Sequence, residues 1–103
     1  MKVTLYPILF SLSLVYTIPS QAASPYAGKA KAEAVCSQCH GIKKPGVGAP
    51  FPSLAGRDKD YLKLALEQYR DKTRISEVMN NIAGSLSDKD INNIVSYYSR
   101  LKP

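Results

Sequence analysis

The chain has 103 residues, a formal net charge of +6, two cysteines, one histidine and no tryptophan. That length fits one domain, and its two phenylalanines cannot fill a large core, which leaves a small chain marginal without a staple. Its 14 basic residues are interspersed with 8 acidic ones, a pattern that argues against a nucleic-acid-binding stripe.

The chain opens "MKVTLYPILFSLSLVYTIPSQAASP". Lys2 is a short positive region, residues 3 to 18 are uncharged and mostly apolar, and Ser20 and Ala22 form a small-x-small cleavage signal. The stretch reads as a secretory signal peptide over residues 1–22, cut after Ala22, with one domain over residues 23–103. The apolar run is shorter than the ~20 residues a spanning helix needs, and Pro7 interrupts it, so no stable membrane insertion is expected after cleavage.

Residues 25 to 39, "PYAGKAKAEAVCSQC", predict a helix with Pro25 in its first turn and Gly28, Ala32, Val35 and Cys39 along one face. Gly28 inside it costs ~1 kcal/mol relative to Ala, which close approach of another helix would explain.

The helix runs into "AVCSQCHG", residues 34 to 41, which holds both cysteines and the only histidine. Two thiols at this spacing serve a redox disulfide, a zinc site or covalent haem attachment. Structural zinc usually takes four Cys or His ligands, and only three candidates exist here. A thioredoxin-like motif belongs beside a βαβ pattern, and no convincing strand is present. Haem attachment uses the whole pentapeptide: Cys36 and Cys39 form thioethers to the vinyl groups, and His40 lies under the iron as an axial ligand. Export suits this chemistry and suits a disulfide equally.

Residues 41 to 56, "GIKKPGVGAPFPSLAG", contain seven Gly or Pro. A structureless loop longer than ~12–15 residues is unusual in a compact domain, but it makes sense wrapped around a group that is not protein. Ile42, Val47, Phe51 and Leu54 would then line that group's edge.

Asp58 is the N-cap of a predicted middle helix over residues 58 to 71, with Leu62, Ala65, Leu66 and Tyr69 as its apolar stripe. Ile75, Val78, Met79 and Ile82 repeat the spacing. Ser87 and Asp90 predict a capping box for a last helix over residues 88 to 101, with Ile91, Ile94, Val95 and Tyr98 inward. Met1 leaves with the leader, so Met79 is the remaining thioether. Its stripe also suits a core methionine, but given a haem it is the candidate sixth ligand, since no second histidine exists.

Taken together, the C-x-x-C-H at residues 36–40, "PSLAG" at 52–56, the middle helix, Met79 and the aromatic last helix resemble class I c-type cytochromes of the small bacterial monohaem kind. The resemblance covers the chain from residue 23 onward. It implies an all-α fold, about four helices wrapped around one covalently bound haem c, with His40 and Met79 as metal ligands. It also implies that the carbonyl of Pro52 accepts a hydrogen bond from His40, and that Gly28 sits where the first and last helices cross, near Tyr97. The "KKPG" stretch and the run of prolines depart from the family pattern and leave the loop's course open.

The implied function is one-electron transfer in the bacterial periplasm by a carrier that transforms no substrate. The alternative is the cytochrome subunit of a larger oxidoreductase, such as a flavocytochrome c sulfide dehydrogenase with a flavoprotein partner. The mature region carries 13 basic and 8 acidic residues. Lys43, Lys44, Arg70, Lys72 and Arg74, if they ring the haem edge, would steer acidic redox partners.

Overall fold

The computed structural model describes residues 2–4, 7, 11–16 and 22–103. Much of the expected leader, Ser20 included, lies outside the described residues, and no helix described is long and apolar enough to cross a membrane. The described residues form five helices and no strand: α1 Pro25–Val35, α2 Ser37–His40, α3 Lys59–Asp71, α4 Glu77–Gly84 and α5 Asp88–Arg100. The all-α expectation holds, with the four-residue α2 added to the four anticipated elements.

Each main helix begins at a capping residue that the sequence supplies. The Ser24 hydroxyl accepts the Ala27 N–H, and the Asp58 carboxylate accepts the Tyr61 N–H. Ser87 and Asp90 exchange bonds in a full capping box. Such caps each contribute about 1 kcal/mol by satisfying N–H groups that a helix start leaves free.

Two local expectations change. The first helix does not run unbroken to Cys39. Cys36 departs from helical geometry at φ −110°, and the Cys39 N–H then reaches the Cys36 carbonyl at 3.3 Å in a tighter turn. The face that packs inward is therefore Gly28, Ala32 and Cys36, at spacings of four, and Cys39 is only half-buried. The second change is in α4, which starts after its Ser76 cap. Ile75 lies before the helix and is 80% exposed, so it belongs to the surface and not to the apolar stripe.

α1 packs across α5, and α3 packs on both α4 and α5. The core formed at these crossings contains Ala32, Cys36, Leu62, Leu86, Ile91, Ile94, Val95 and Tyr98. Burying each of the larger aliphatic side chains contributes roughly 1.5–3 kcal/mol. At the α1–α5 crossing the backbones nearly touch: a Cβ on Gly28 would overlap the Asn93 carbonyl and stand 3.0 Å from the Tyr97 Cβ. The expected reason for Gly28 is thus the observed one.

The loop after α2 contains no regular structure but is tied to the helices. The Tyr98 hydroxyl donates to the Gly41 carbonyl at 2.9 Å, and the Gly56 N–H donates to the Tyr98 carbonyl at 2.9 Å. Ser53 Oγ–H donates to the Lys43 carbonyl at 3.0 Å. Gly41 has φ +67°, and a Cβ there would overlap the Lys44 carbonyl, so this turn requires glycine. Val47, expected to face inward, is instead fully exposed at the loop tip.

Three expectations for stability follow from these contacts. Gly28→Val should destabilise the protein by about 2 kcal/mol or more, because a fixed carbonyl occupies the space the side chain needs. Gly46→Ala, with no atom within 4 Å of its added carbon, should stay within ~1 kcal/mol of the parent. Tyr98→Phe should cost about 1–2 kcal/mol in denaturant unfolding, since it strands the Gly41 carbonyl.

Candidate functional site

α2, α3, α4 and α5 surround a cavity of about 360 Å³. Its walls are largely aliphatic and aromatic, and it reaches the size range of small-molecule and cofactor sites. Cys36, Cys39 and His40 stand at one part of the wall, and Val78, Met79 and Ile82 from α4 at another. α2 and α4 are not among the closely packed helix pairs, so their functional side chains meet at the cavity and not through a protein interface.

The geometry of His40 is fixed by the loop. The His40 Nδ1–H donates to the Pro52 carbonyl at 2.8 Å. This bond assigns the proton to Nδ1 and leaves Nε2 with a free lone pair, the arrangement a metal-binding imidazole needs. The Phe51 ring lies edge-on to the imidazole at 6.0 Å between centroids. Prolines at positions 50 and 52 keep Ala49 and Phe51 extended, which lets a loop without internal structure present one carbonyl at one place.

The two thiols differ. Burial pushes the Cys36 thiol up to about 11, against a weaker lowering by the Lys31 charge. A redox-active C-x-x-C depends on an accessible thiol with a lowered pKa, so Cys36 has the wrong environment for that chemistry. The two sulfurs are not joined in a disulfide. Among the described residues no three His, Cys, Asp or Glu side chains are grouped to hold a metal ion, which leaves the zinc alternative without a ligand set.

Arg57 carries no signal in the sequence, and Arg74 stands there only as a candidate docking charge. Both line the largely apolar cavity. Arg57 Nε donates to the Ser53 carbonyl at 2.6 Å. The Arg74 guanidinium donates twice to Gln68 Oε1, at 3.2 and 3.1 Å, and lies 5.6 Å over the Tyr69 ring. Arg74 is thus built into the wall and is not a free steering charge. Arg70 is likewise engaged: it pairs with Asp88 at 2.7 Å and joins α3 to the start of α5. A side chain six residues distant, such as Gln68 from Arg74, gives no periodic signature, and only the turn between α3 and α4 brings the two together.

The family described as Cytochrome C oxidase, cbb3-type, subunit III matches residues 23–97. Cytochrome c4 of Pseudomonas aeruginosa is 33% identical over 102 residues, which span 99% of this chain and 50% of that protein. Cytochrome c-554(548) of Halomonas halodenitrificans is 37% identical over 67 residues, 62% of this chain and 81% of that protein. The thiosulfate dehydrogenase electron acceptor of Stutzerimonas stutzeri is 36% identical over 69 residues, 64% of this chain and 32% of that protein. Against the cytochrome c4 proteins and that electron acceptor, the chain spans half of the relative's length or less. On the family match and the relatives of similar length, the chain belongs to the Cytochrome C oxidase, cbb3-type, subunit III family of small c-type cytochromes, electron-transfer proteins that bind haem c covalently.

Proposed function

We propose that this protein carries single electrons in the bacterial periplasm on one haem c, attached through Cys36 and Cys39 and ligated axially by His40 and Met79. The observation that carries the reading is the shared cavity: both thiols, an imidazole with its Nδ1 proton committed to Pro52, and the only thioether of residues 23–103 line one apolar space. The residues fit the group. Cys36 and Cys39 would hold it covalently, and the apolar wall would exclude water from it. Arg57 and Arg74 are the cations of the cavity wall that would meet its carboxylates. The haem supplies a ferric–ferrous couple, and the protein tunes and shields it. Export rests on the residue 1–22 leader, with the mature domain at 23–103; the family match begins at residue 23.

Redox partners would dock at the cationic surface. Among the described residues Lys43, Lys44 and Lys72 make no ion pair, whereas Lys29, Lys31, Lys63 and Arg70 each do. Unpaired lysines favour an acidic partner. A second reading, an electron-accepting partner of a larger oxidoreductase, is supported by relatives named thiosulfate dehydrogenase electron acceptor. A flavoprotein partner is the form that the sequence resemblance gave to this reading. Stable co-purification with an oxidoreductase subunit would favour it over a free carrier.

Consequences follow for haem retention, axial ligation and docking. The mature protein should keep one haem through denaturing electrophoresis, and Met79→Ala should keep it too. That variant should have a lower reduction potential, within the ~0.8 V span that axial ligands command, and should bind carbon monoxide where the parent does not. Wild-type potential and ligand resistance in the variant would return Met79 to the core. Electron transfer to an acidic partner should slow as the Debye length shortens from ~30 Å at 0.01 M to ~8 Å at 0.15 M salt. A flat dependence would remove Lys43, Lys44 and Lys72 from the docking surface.

A further inference from the structure

Asn80 follows Met79 on α4, but it does not line the cavity. Its Nδ2 donates to the Tyr69 carbonyl at 2.8 Å and to the Arg74 carbonyl at 2.9 Å, and its Oδ1 accepts the Ser76 N–H at 2.9 Å. These partners fix the orientation of the amide, because the flipped form would set an oxygen against two carbonyls and a nitrogen against an N–H. The three partners lie in three places: the last turn of α3, the connecting turn, and the cap of α4. Ser76 passes the constraint on, since its Oγ accepts the Met79 N–H at 3.3 Å. Tyr69, Arg74, Ser76 and Met79 all line the cavity. One amide outside the site therefore holds four residues of its wall in register.

The need for such a clamp follows from the length of α4. Eight residues are too few for a helix to hold itself in water. A thioether is a neutral ligand, so it is lost whenever its segment opens locally. How well Met79 stays in place then depends on what fastens α4 to the rigid end of α3.

We propose that Asn80 is the positioning residue for Met79: by tying the α3 end, the connecting turn and the α4 cap together, it holds the thioether against the haem iron and keeps exogenous ligands out. This rests on the reading of Met79 as axial ligand. Asn80→Ala removes all three bonds. Asn80→Asp keeps the shape and the bond to the Ser76 N–H but turns an oxygen toward two carbonyls. Asn80→Ser retains a short polar group and serves if either of the others fails to mature. Met79→Leu reports the axial role directly. Asn93→Ala is the structural control, since the Asn93 Oδ1 accepts the Ser24 N–H at 2.8 Å between α5 and the cap of α1 and does not line the cavity.

The test uses the mature haem-loaded proteins. It measures the weak red absorption band of thioether-bound ferric iron, the rate of imidazole binding to the ferric form, the reduction potential and the melting temperature. The Asn80 variants should keep covalent haem, weaken the band and lower the potential toward that of Met79→Leu. Their imidazole binding should speed up on the order of ten- to a hundred-fold. Asn93→Ala should leave band and rate unchanged even where its melting temperature falls as far. Asn80 variants with wild-type band and rate, beside a Met79→Leu that alters both, would overturn the positioning role alone. If Met79→Leu also leaves both unchanged, the axial assignment fails and the proposal falls with it.

Discussion

The close crossing of α1 over α5 is the contact on which the rest of the molecule depends. Gly28 lets the two backbones meet at the Asn93 carbonyl. Ala32 and Cys36 continue that line, so the same face that docks α1 also delivers the first cysteine to the cavity. α5 answers with Ile94, Val95 and Tyr98, which serve at once as core and as cavity wall. A shift of one helix on the other would move the attachment motif and the opposing wall together. The hydroxyl of Tyr98 adds a directional restraint, because it holds Gly41, the residue directly after His40.

The cavity has two sides held by different mixtures of contacts. On the α1–α2–α5 side the backbone is anchored by buried apolar contacts and by the bonds of Tyr98. On the α3–α4 side Leu62, Ala83 and Leu86 are buried too, and polar links add to them: Arg70 to Asp88, Arg74 to Gln68, and the amide of Asn80. The exposed Arg70–Asp88 bridge alone is worth little, at most about 1 kcal/mol. The half-buried bonds to backbone carbonyls matter more, since breaking them strands groups that water reaches poorly.

Most of the architecture was legible in the sequence for specific reasons. Ser24, Asp58 and Ser87 announce helix starts through side-chain chemistry, and the stripes of α3 and α5 follow a plain period. The five residues from Cys36 to His40 concentrate the rare side chains and so mark the site. What was illegible came from the third dimension. Ile75 fits the α4 period but falls before the Ser76 cap, and Val47 is apolar yet sits at a loop tip. Arg74 and Asn80 do their work through turns, where no repeat distance exists. Arg70, read as a docking charge, is engaged by Asp88, because α5 starts beside the end of α3.

The burial of Cys36 bears on the order of events in making this protein. The motif precedes α5, the helix that buries it, by more than fifty residues. Once α5 is in place, Cys36 is largely buried, and that burial favours the protonated thiol, a poor nucleophile. Under the proposed export and attachment, bond formation would belong to the interval before α5 docks. The maturing chain would then fold around its haem, and the closing of α5 would be the step that seals the product.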